Sequence, residues 1–299
     1  MRSRATPPPV IEGVSDTARW VALYRAMESE RRDALFRDPY ARPLAGPRGE
    51  AVFRAMPQAR RWAWPMVVRT AVIDEILGRL VTAGGARTVL NLAAGLDARP
   101  FRLRLPPELR WLDVDLPAIQ DGKRAALERE RPRCALEWRA ADLSDPAARR
   151  AVLAEVARGP APALAVTEGL LIYLERDAVA ALAADLLDCP AIEWWMLDLG
   201  SPRLLRLMER TWGRAVAAGG APFRFAPAEG TAFFERLGWL EVEFRSTWEE
   251  GLRLGRTMPF ARLWSALARL LPAERREEFR TMSGIVLLRR ARPAGGAGR

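Results

Sequence analysis

The sequence predicts an α/β domain built on a mostly parallel, doubly wound sheet of seven strands. Three observations predict it. Short apolar runs of strand-forming residues recur seven times, helical patterns separate most of these runs, and the first run ends in the side-chain-poor turn Ala93-Ala94-Gly95. Alternating strands and helices are typical of a parallel sheet with helices on both faces. We therefore expect a ligand at the carboxyl ends of the strands.

The seven strands follow one another at regular intervals. They are predicted at 87–93, 110–114, 135–140, 163–167, 192–198, 239–246 and 284–289. Helical patterns such as 117–130 and 176–188 supply the crossovers that parallel strands need. The last two strands have no clear crossover between them, so one of the two is a candidate antiparallel strand.

Two further helix-rich segments are candidates for covering the carboxyl edge of the sheet. Residues 15–84 form a helical extension before the first strand, and residues 200–235 form an insertion between strands five and six, interpreted as a lid. The alternative is that both are ordinary packing helices. We expect a single domain over 15–290, with flexible tails at 1–14 and 291–299 because both ends are rich in proline or glycine.

The charge balance is strongly basic, with a net charge of +10 and a pI near 10.9. Such a balance can indicate a nucleic-acid partner. The arginines are interspersed with acidic residues, however, and Lys123 is the only lysine. We therefore interpret the charge as an arginine-rich solvated surface and expect no nucleic-acid partner.

Composition excludes several kinds of chemistry. The chain has no histidine, so a histidine base, a Ser-His-Asp triad and a histidine-ligated metal are excluded, and we expect no metal site. Its two cysteines, Cys134 and Cys189, do not form a disulfide framework, which indicates a reducing cytoplasm. No apolar run is long enough to span a bilayer and no leader pattern is evident, so we expect no membrane partner.

Residues at three successive strand ends indicate an adenosine ligand. The turn at Ala93 and Gly95 lets a ligand approach the backbone. Asp115 ends the second strand, where a ribose diol is usually held, and Asp142 follows the third, where a carboxylate can accept from an adenine amino group. Each aspartate can instead cap the next helix. The turn lacks a G-x-G-x-x-G pattern, which disfavours a dinucleotide.

Arg69 indicates the rest of the ligand. It lies three and four residues before Val72 and Ile73, on the apolar stripe of a predicted helix. A buried arginine needs an anion, so Arg69 is a candidate for binding a ligand carboxylate, unless its side chain reaches solvent from the helix end. Adenosine together with an amino-acid carboxylate describes S-adenosylmethionine (SAM).

Two residues after the fourth strand are candidates for the reacting end of this ligand. Glu168 can hold the ligand amino group or a ribose hydroxyl, or can be an acid that interacts with a helix N-terminus. Tyr173 can line the reaction pocket, or can belong to the core with its hydroxyl outward.

These motifs together resemble the leucine carboxyl methyltransferase family, in particular its bacterial branch with polyketide O-methyltransferases of the tetracenomycin type. The resemblance implies a seven-stranded Rossmann-like SAM methyltransferase fold. The matching stretches occur in family order and are SDTARWVALYRAMESERRDALFRDPYARPLAG (15–46), VVRTAVIDEIL (67–77), VLNLAAGLDARPFRL (89–103), LDVDLP (112–117), ADLSD (141–145), TEGLLIYL (167–174) and FFERLGWLEVEFRS (233–246).

The resemblance implies roles for residues near the methionine part of SAM. Arg69 would bind the carboxylate, Gly95 would lie under the methionine portion, and Glu168 would lie near the amino group. Tyr173 would lie beside the sulfonium, as a positioning residue of the reaction. Arg25 would join the carboxylate or the substrate side.

For the adenosine part, the resemblance implies Asp115 and the adjacent Leu116 at the ribose, with Asp142 and Leu143 at the adenine. One departure from the family pattern concerns the first turn. The family usually has Gly-Ala-Gly there, whereas this chain has alanine at the first position, Ala93.

The predicted function is SAM-dependent O-methylation of a carboxylate or of an acidic phenol or enol hydroxyl on a small molecule, in secondary metabolism. The methyl group would move by in-line transfer without metal or histidine base, since a carboxylate nucleophile is already ionised at neutral pH. The alternatives are a nucleic-acid methyltransferase, which the basic charge favours, and a SAM-binding protein without catalysis, which the alanine in the first turn allows. The oligomeric state stays open.

Two apolar features have two interpretations each. Trp212, Phe223, Phe225 and Phe233 can line a pocket for a flat acceptor, or can belong to the core. The stretch 258–272 is amphipathic, and we interpret it as a packing helix, with a partner or membrane surface as the alternative.

Overall fold

The computed structural model describes residues 10–291, which fold around one seven-stranded sheet. The strands are β1 (Thr88–Leu92), β2 (Arg110–Asp115), β3 (Ala135–Ala140), β4 (Ala163–Thr167), β5 (Ile192–Gly200), β6 (Trp239–Ser246) and β7 (Ser283–Arg290). Each coincides with a predicted strand, and no boundary differs by more than two residues.

Helices precede, separate and cover the strands. They are α1 (Val14–Ser29), α2 (Ala41–Ala55), α3 (Ala63–Thr82), α4 (Arg99–Arg102), α5 (Pro117–Ala126), α6 (Pro146–Ala157), α7 (Arg176–Asp188), α8 (Pro202–Ala218), α9 (Ala232–Glu235), α10 (Thr247–Arg253), α11 (Ala261–Ala268) and α12 (Ala273–Arg280). Short 3-10 turns lie at Ala59–Trp62 and Leu171–Tyr173.

The strand order across the sheet is β3-β2-β1-β4-β5-β7-β6. The first five strands in this order are parallel, whereas β7 pairs antiparallel with both β5 and β6. This confirms the predicted mostly parallel sheet and places the antiparallel strand last in the chain. Because the chain leaves β1 and β4 toward opposite edges, the sheet has its switch point between these two strands. Ligands of open α/β sheets bind in the crevice at such a point.

The central strands are apolar on both faces because helices cover both. β1 and β4 are buried along their whole length. Leu90 and Ala165 pack in the core layer under α6 and α7, while Val89 and Leu164 pack in the layer under α3. A shift of one residue in the strand pairing would move each side chain into the opposite core layer. The different packing of the two layers therefore fixes the register.

The helical extension predicted at 15–84 divides into two parts. α3 belongs to the outer layer of the sheet, where Val72, Ile73 and Ile76 are fully buried. The preceding helices and the turn Ala59–Trp62 lie beyond this layer. Only this earlier part, together with the first residues of α3, is in a position to cover the carboxyl edge.

The N-terminal segment differs from the prediction of a flexible tail over 1–14. Residues 10–13 contact the domain, and Ile11 is fully buried in an apolar cluster that includes Trp212. The apolar Val-Ile pair in this segment gains burial by packing under α8. The other predicted tail positions, 1–9 and 292–299, lie outside the described residues.

The interpretation of 258–272 as a packing helix is wrong. Leu263 and Trp264 on α11 are 58% and 57% exposed. α11 contacts the domain instead through Ser265, whose hydroxyl accepts a hydrogen bond from Trp248 Nε1 at 3.2 Å. Small residues of the helix, such as Ala261 and Ser265, thus face the protein, and its large apolar side chains face outward.

The only lysine of the chain is buried in an ion pair beneath the sheet edge. Lys123 on α5 places Nζ 2.5 Å from Asp113 Oδ2 on β2, and the two side chains are 1% and 0% exposed. Asp113 also accepts from Trp111 Nε1 at 2.7 Å and from Asn91 Nδ2 at 3.0 Å. A lysine ammonium is more compact than a guanidinium, so it fits this enclosed position.

Lys123→Met is expected to lower the free energy of unfolding by about 3–5 kcal/mol, because Asp113 would stay buried without its cation. Urea unfolding measures the change. The matched control is Arg124→Met, at the next residue, which is exposed and has no ion pair within residues 10–291. Its effect should stay within about 0.5 kcal/mol. Equal losses in the two variants would contradict the importance of the buried pair.

Candidate active site

A partly open cavity lies at the carboxyl edge of the sheet, over the switch point between β1 and β4. Strand ends supply most of its charged lining. The segments that cover this edge supply most of its aromatic lining; they are α1, the turn Ala59–Trp62 with the start of α3, and α8 with the residues that follow it. The charged side chains are Arg25, Arg69, Asp97, Arg99, Asp115, Glu168 and Asp198. The aromatic side chains are Trp20, Tyr24, Trp62, Trp64, Tyr173, Trp212, Phe223 and Phe225.

The turn after β1 exposes its backbone to this cavity. Ala93 and Gly95 have φ values of +52° and +51°, both in the left-handed region. Glycine adopts this region without strain, whereas alanine does so at a cost of about 1 kcal/mol. The N–H of Ala94 donates to the carbonyl of Val114 at 3.0 Å, which ties the turn to β2. The alanine that departs from the family pattern therefore occupies a strained position.

Asp115 ends β2 and faces the same turn. Its carboxylate accepts the N–H of Gly95 at 2.6 Å and the N–H of Leu116 at 2.7 Å. Burial raises the pKa of Asp115 above its usual value, although these two hydrogen bonds oppose the shift. A carboxylate has about four acceptor positions, so Asp115 retains capacity for hydroxyl groups of a ligand.

Arg69 extends from the buried stripe of α3 to the ends of β4 and β5. Its Nε donates to Glu168 Oε1 at 3.0 Å, and its Nη1 donates to Asp198 Oδ2 at 3.1 Å. Asp198 also accepts the N–H of Gly169 at 2.6 Å. Glycine is needed at 169, because φ is +66° and a Cβ would lie 3.3 Å from Arg69 Nη1.

Glu168 joins Arg69 to a second buried guanidinium. Arg99 Nη1 donates to Glu168 Oε2 at 2.7 Å and to Asp97 Oδ2 at 2.8 Å, while its Nε donates to Asp74 Oδ1 at 2.6 Å. Burial opposes ionisation of Glu168, but Arg99 and Arg69 hold the pKa of its carboxyl below the usual value. Arg99 Nη2 is buried and has no hydrogen-bond partner in the described part of the chain.

Asn91 connects this network to the buried lysine. Its Nδ2 lies 3.1 Å from Asp97 Oδ2 and 3.0 Å from Asp113 Oδ1. Polar contacts therefore continue from Lys123 under the first turn to Asp198. They link the ends of β2, β1, β4 and β5, the four strands that meet at the cavity.

Tyr173 lies where the charged and aromatic parts of the lining meet. Its ring stacks on Phe223 with centroids 5.8 Å apart. Burial raises the pKa of Tyr173, while a hydrogen bond with Thr17 and the charge of Arg69 oppose the shift. The hydroxyl is therefore protonated at neutral pH.

Three tryptophans form the far side of the cavity. The ring centroid of Trp212, on α8, lies 5.1 Å from that of Trp20 and 5.3 Å from that of Trp62, in edge-to-face arrangements. Phe223 and Phe225 follow α8 and also line the cavity. The indole N–H of Trp62 is buried without a hydrogen-bond partner among residues 10–291.

Arg25 lines the cavity but is held within the protein. Its Nε donates to Asp38 Oδ2 at 2.9 Å, and its Nη2 donates to the carbonyl of Leu96 at 2.6 Å. Arg25 therefore ties α1 to the loop after β1.

Three of the predicted residues do not line the cavity. Asp142 is exposed after β3 and accepts the N–H of Ser144 at 2.9 Å. Leu143 is half-buried against the core, and Leu116 is 39% exposed. They follow the ends of β2 and β3, outside the group formed by the other predicted residues. Their roles at the adenine and ribose stay predictions.

Asp198, Asn91 and Trp62 line the cavity but were not among the predicted site residues. The first two had a detectable signal, because each is a polar residue inside an otherwise apolar strand, WWMLDL and TVLNL. Trp62 had none, since its position depends on the 3-10 turn before α3 and on packing against Trp212.

A second, more open groove lies between α1 and α2. It is lined by Arg37, Arg42 and Glu50 among others, and Arg42 pairs with Glu30 at 2.5 Å and with Glu50 at 3.0 Å. None of the predicted site residues lies there. The cavity at the sheet edge is therefore the candidate active site.

The sheet order, the antiparallel β7 and a ligand cavity at the carboxyl edge define the class of Rossmann-like SAM methyltransferases. Within this class, the chain belongs to the leucine carboxyl methyltransferase family, whose sequence profile matches residues 18–186. This confirms the resemblance drawn from the motifs.

Bacterial relatives agree with this assignment. A candidate SAM-dependent methyltransferase of Streptomyces coelicolor is 36% identical over 263 residues, which cover 82% of this chain and 89% of the relative. Another from Frankia alni is 37% identical over 250 residues, which cover 78% of this chain and 84% of the relative. The chain is therefore a SAM-dependent methyltransferase, and SAM is its cofactor.

Solved structures confirm the fold. A DUF574 family protein from Streptomyces avermitilis matches with a TM-score of 0.60 at 17% identity, covering 92% of this chain and 97% of that one. A candidate methyltransferase from Thermobifida fusca matches with a TM-score of 0.55 at 17% identity, covering 95% and 96%.

Ala93→Gly is expected to raise the free energy of unfolding by about 0.5–1 kcal/mol, because glycine adopts the left-handed region without a Cβ clash. Ala94→Gly is the matched control. Ala94 does not have a positive φ, so glycine there should lower the free energy of unfolding by about 0.5–1 kcal/mol. Urea unfolding of both variants measures the difference. A loss of stability at both positions would contradict backbone strain at Ala93.

Proposed function

We propose that this methyltransferase transfers the methyl group of SAM to an oxygen atom, either of a carboxylate or of an acidic phenol or enol hydroxyl, on a small and largely apolar acceptor. The observation that carries the proposal is the division of one cavity into a charged part at the sheet edge and an aromatic part under the covering segments. The charged part suits the cofactor, and the aromatic part suits a flat acceptor.

The charges of the lining are complementary to SAM. With every group ionised, three guanidinium groups and four carboxylates give the lining a net charge of −1. SAM carries a sulfonium, an ammonium and a carboxylate, hence a net charge of +1. Opposite net charges favour binding and orientation.

We infer that Arg69 and Arg99 bind the SAM carboxylate. Both guanidinium groups are almost fully buried, and Arg99 Nη2 has a hydrogen atom to donate and no described partner to accept it. An arginine donor of this kind suits a carboxylate. Glu168 and Asp198, on the other side of Arg69, would accept from the amino group.

We assign the ribose hydroxyls to Asp115. Its carboxylate is buried, faces the turn at Gly95 and has acceptor capacity beyond its two backbone donors. Ala93 and Gly95 would let the cofactor approach the backbone of that turn. Leu116 would lie beside the ribose, and Asp142 and Leu143 would contact the adenine.

Bound SAM supplies an electrophilic methyl group on its sulfonium. The protein then needs to orient the acceptor oxygen and exclude water. Tyr173 is suited to this because it is neutral, half-buried and held between Phe223 and Thr17. The tryptophans beyond it would exclude water and stack against the acceptor.

The absence of histidine from the chain favours an acceptor that is already an anion. A carboxylate needs no base at neutral pH, and an acidic phenol or enol is partly ionised there. The buried N–H of Trp62 would supply a donor for an acceptor oxygen. The aromatic lining of the cavity favours a small molecule over a nucleic acid. A role in cytoplasmic secondary metabolism would follow from an aromatic acceptor.

The cofactor roles predict different effects for two ligands. Asp115→Ala should weaken S-adenosylhomocysteine and 5′-methylthioadenosine alike, by about 10–100-fold, because a hydrogen bond to a charged group contributes about 1.5–3 kcal/mol. Arg69→Ala should weaken S-adenosylhomocysteine by a similar factor and leave methylthioadenosine unchanged, since that ligand has no carboxylate. Isothermal titration calorimetry measures both affinities.

The control for this titration is Asp121→Ala, an exposed carboxylate on α5 that does not line the cavity. It should bind both ligands like the wild type. If Arg69→Ala weakened both ligands equally, Arg69 would be acting through the structure of the site and not through the carboxylate.

The acceptor class is tested by release of S-adenosylhomocysteine from SAM with matched polycyclic aromatic carboxylic acids, phenols and amines. We expect methyl esters or ethers and no methylated amine. The rate with a carboxylic acid should be flat between about pH 6 and 8, while the rate with a phenol should rise about tenfold per pH unit below the phenol pKa. Methylation of the amine alone would overturn the proposal.

A further inference from the structure

We propose that α11 and the residues around it bind the surface of an anionic lipid bilayer. This proposal concerns a surface outside the active site and does not depend on the identity of the acceptor. The proposal differs from the expectation, drawn from the sequence, that the protein has no membrane partner. No helix in residues 10–291 is long and apolar enough to cross a bilayer, so the contact would be peripheral.

The apolar residues of this segment form one continuous stripe. Leu263, Trp264 and Leu267 share one side of α11, since they lie one turn apart or less, while Phe260 precedes the helix and Leu270 and Leu271 follow it. The exposed members are Phe260, Leu263, Trp264, Leu267, Leu270 and Leu271, with exposures from 39% to 83%. Exposed apolar groups of this kind on a water-facing surface mark an interaction site.

Unpaired arginines flank the stripe. Arg262, Arg269, Arg275 and Arg276 are exposed and form no ion pair with other described residues. Glu274 is the one acidic side chain among residues 260–276, so this segment carries a net charge of +3. Elsewhere on the surface many arginines are paired with carboxylates, as Arg253 is with Glu75.

An apolar stripe beside excess positive charge is the pattern of helices that lie in the interface of anionic membranes. A second copy of this chain is a poorer partner, because a two-fold contact would bring two positive segments together. A nucleic acid would neutralise the arginines but would leave the apolar stripe in water. An anionic bilayer would remove the apolar stripe from water and would also neutralise the arginines.

The stripe is also connected to the active site. Trp248 on α10 donates to Ser265 of α11, and its ring lies 6.2 Å from that of Trp64, which lines the cavity. Binding at a bilayer would therefore place the part of the cavity lined by Trp64 near the lipid. An apolar acceptor dissolved in the membrane would have a short path to the enzyme.

Sedimentation with lipid vesicles tests the proposal, using the full-length protein. Vesicles that contain phosphatidylglycerol should bind the wild type, pure phosphatidylcholine vesicles should not, and added salt should weaken binding. The variant Arg262→Gln/Arg269→Gln should bind about 25-fold more weakly, since each arginine near an anionic surface contributes about fivefold. The variant Phe260→Ser/Leu263→Ser/Trp264→Ser should lose binding by at least about tenfold.

The matched control is Leu240→Ser/Val242→Ser, which removes apolar side chains that are 50% and 53% exposed on the edge strand β6. It should bind vesicles like the wild type, and all variants should bind S-adenosylhomocysteine normally. The arginine variant keeps the test valid if the apolar variant does not fold.

Three results would overturn the proposal: no binding to either vesicle, equal loss in the control, or equal binding to both lipid compositions. A wild-type dimer that the apolar variant dissociates, without vesicle binding, would also overturn it and would identify the stripe as a contact between copies.

Discussion

The carboxylate of Glu168, held between the guanidinium groups of Arg69 and Arg99, is the interaction on which the rest of the site depends. One oxygen accepts from Arg69 at 3.0 Å and the other accepts from Arg99 at 2.7 Å. Arg69 comes from α3, Arg99 follows β1 and Glu168 follows β4. The three therefore fix the helix layer, the first turn and the switch point of the sheet relative to one another.

Burial of so many charges constrains the surrounding backbone. Removal of one member of a buried ion pair leaves its partner desolvated, at a cost of about 3–5 kcal/mol. The groups must therefore approach closely, and glycine at 169 leaves room for Arg69. The network continues through Asn91 to Asp113, which joins the charged cavity lining to the buried pair of Asp113 and Lys123.

Much of the site could be predicted because its residues follow strand ends or lie on the apolar stripe of a helix, and periodic patterns identify both. Arg69, Asp115, Glu168 and Tyr173 line one cavity, as expected of residues that approach the same edge of a parallel sheet. Asp198 was not predicted as a site residue. It lies inside β5, and a single polar residue in an apolar run does not show which group it pairs with. Only the contact with Arg69 shows what neutralises it.

Local pattern and composition were enough to predict the strands, their mostly parallel arrangement, the side-chain-poor first turn and the absence of histidine chemistry. Tertiary structure alone decided which charges pair, that α3 belongs to the sheet layer, and that α11 turns its apolar side outward. The physical reason is that an apolar stripe specifies that a helix is amphipathic, but not which surface covers it. That choice depends on contacts between distant segments, such as Ser265 with Trp248.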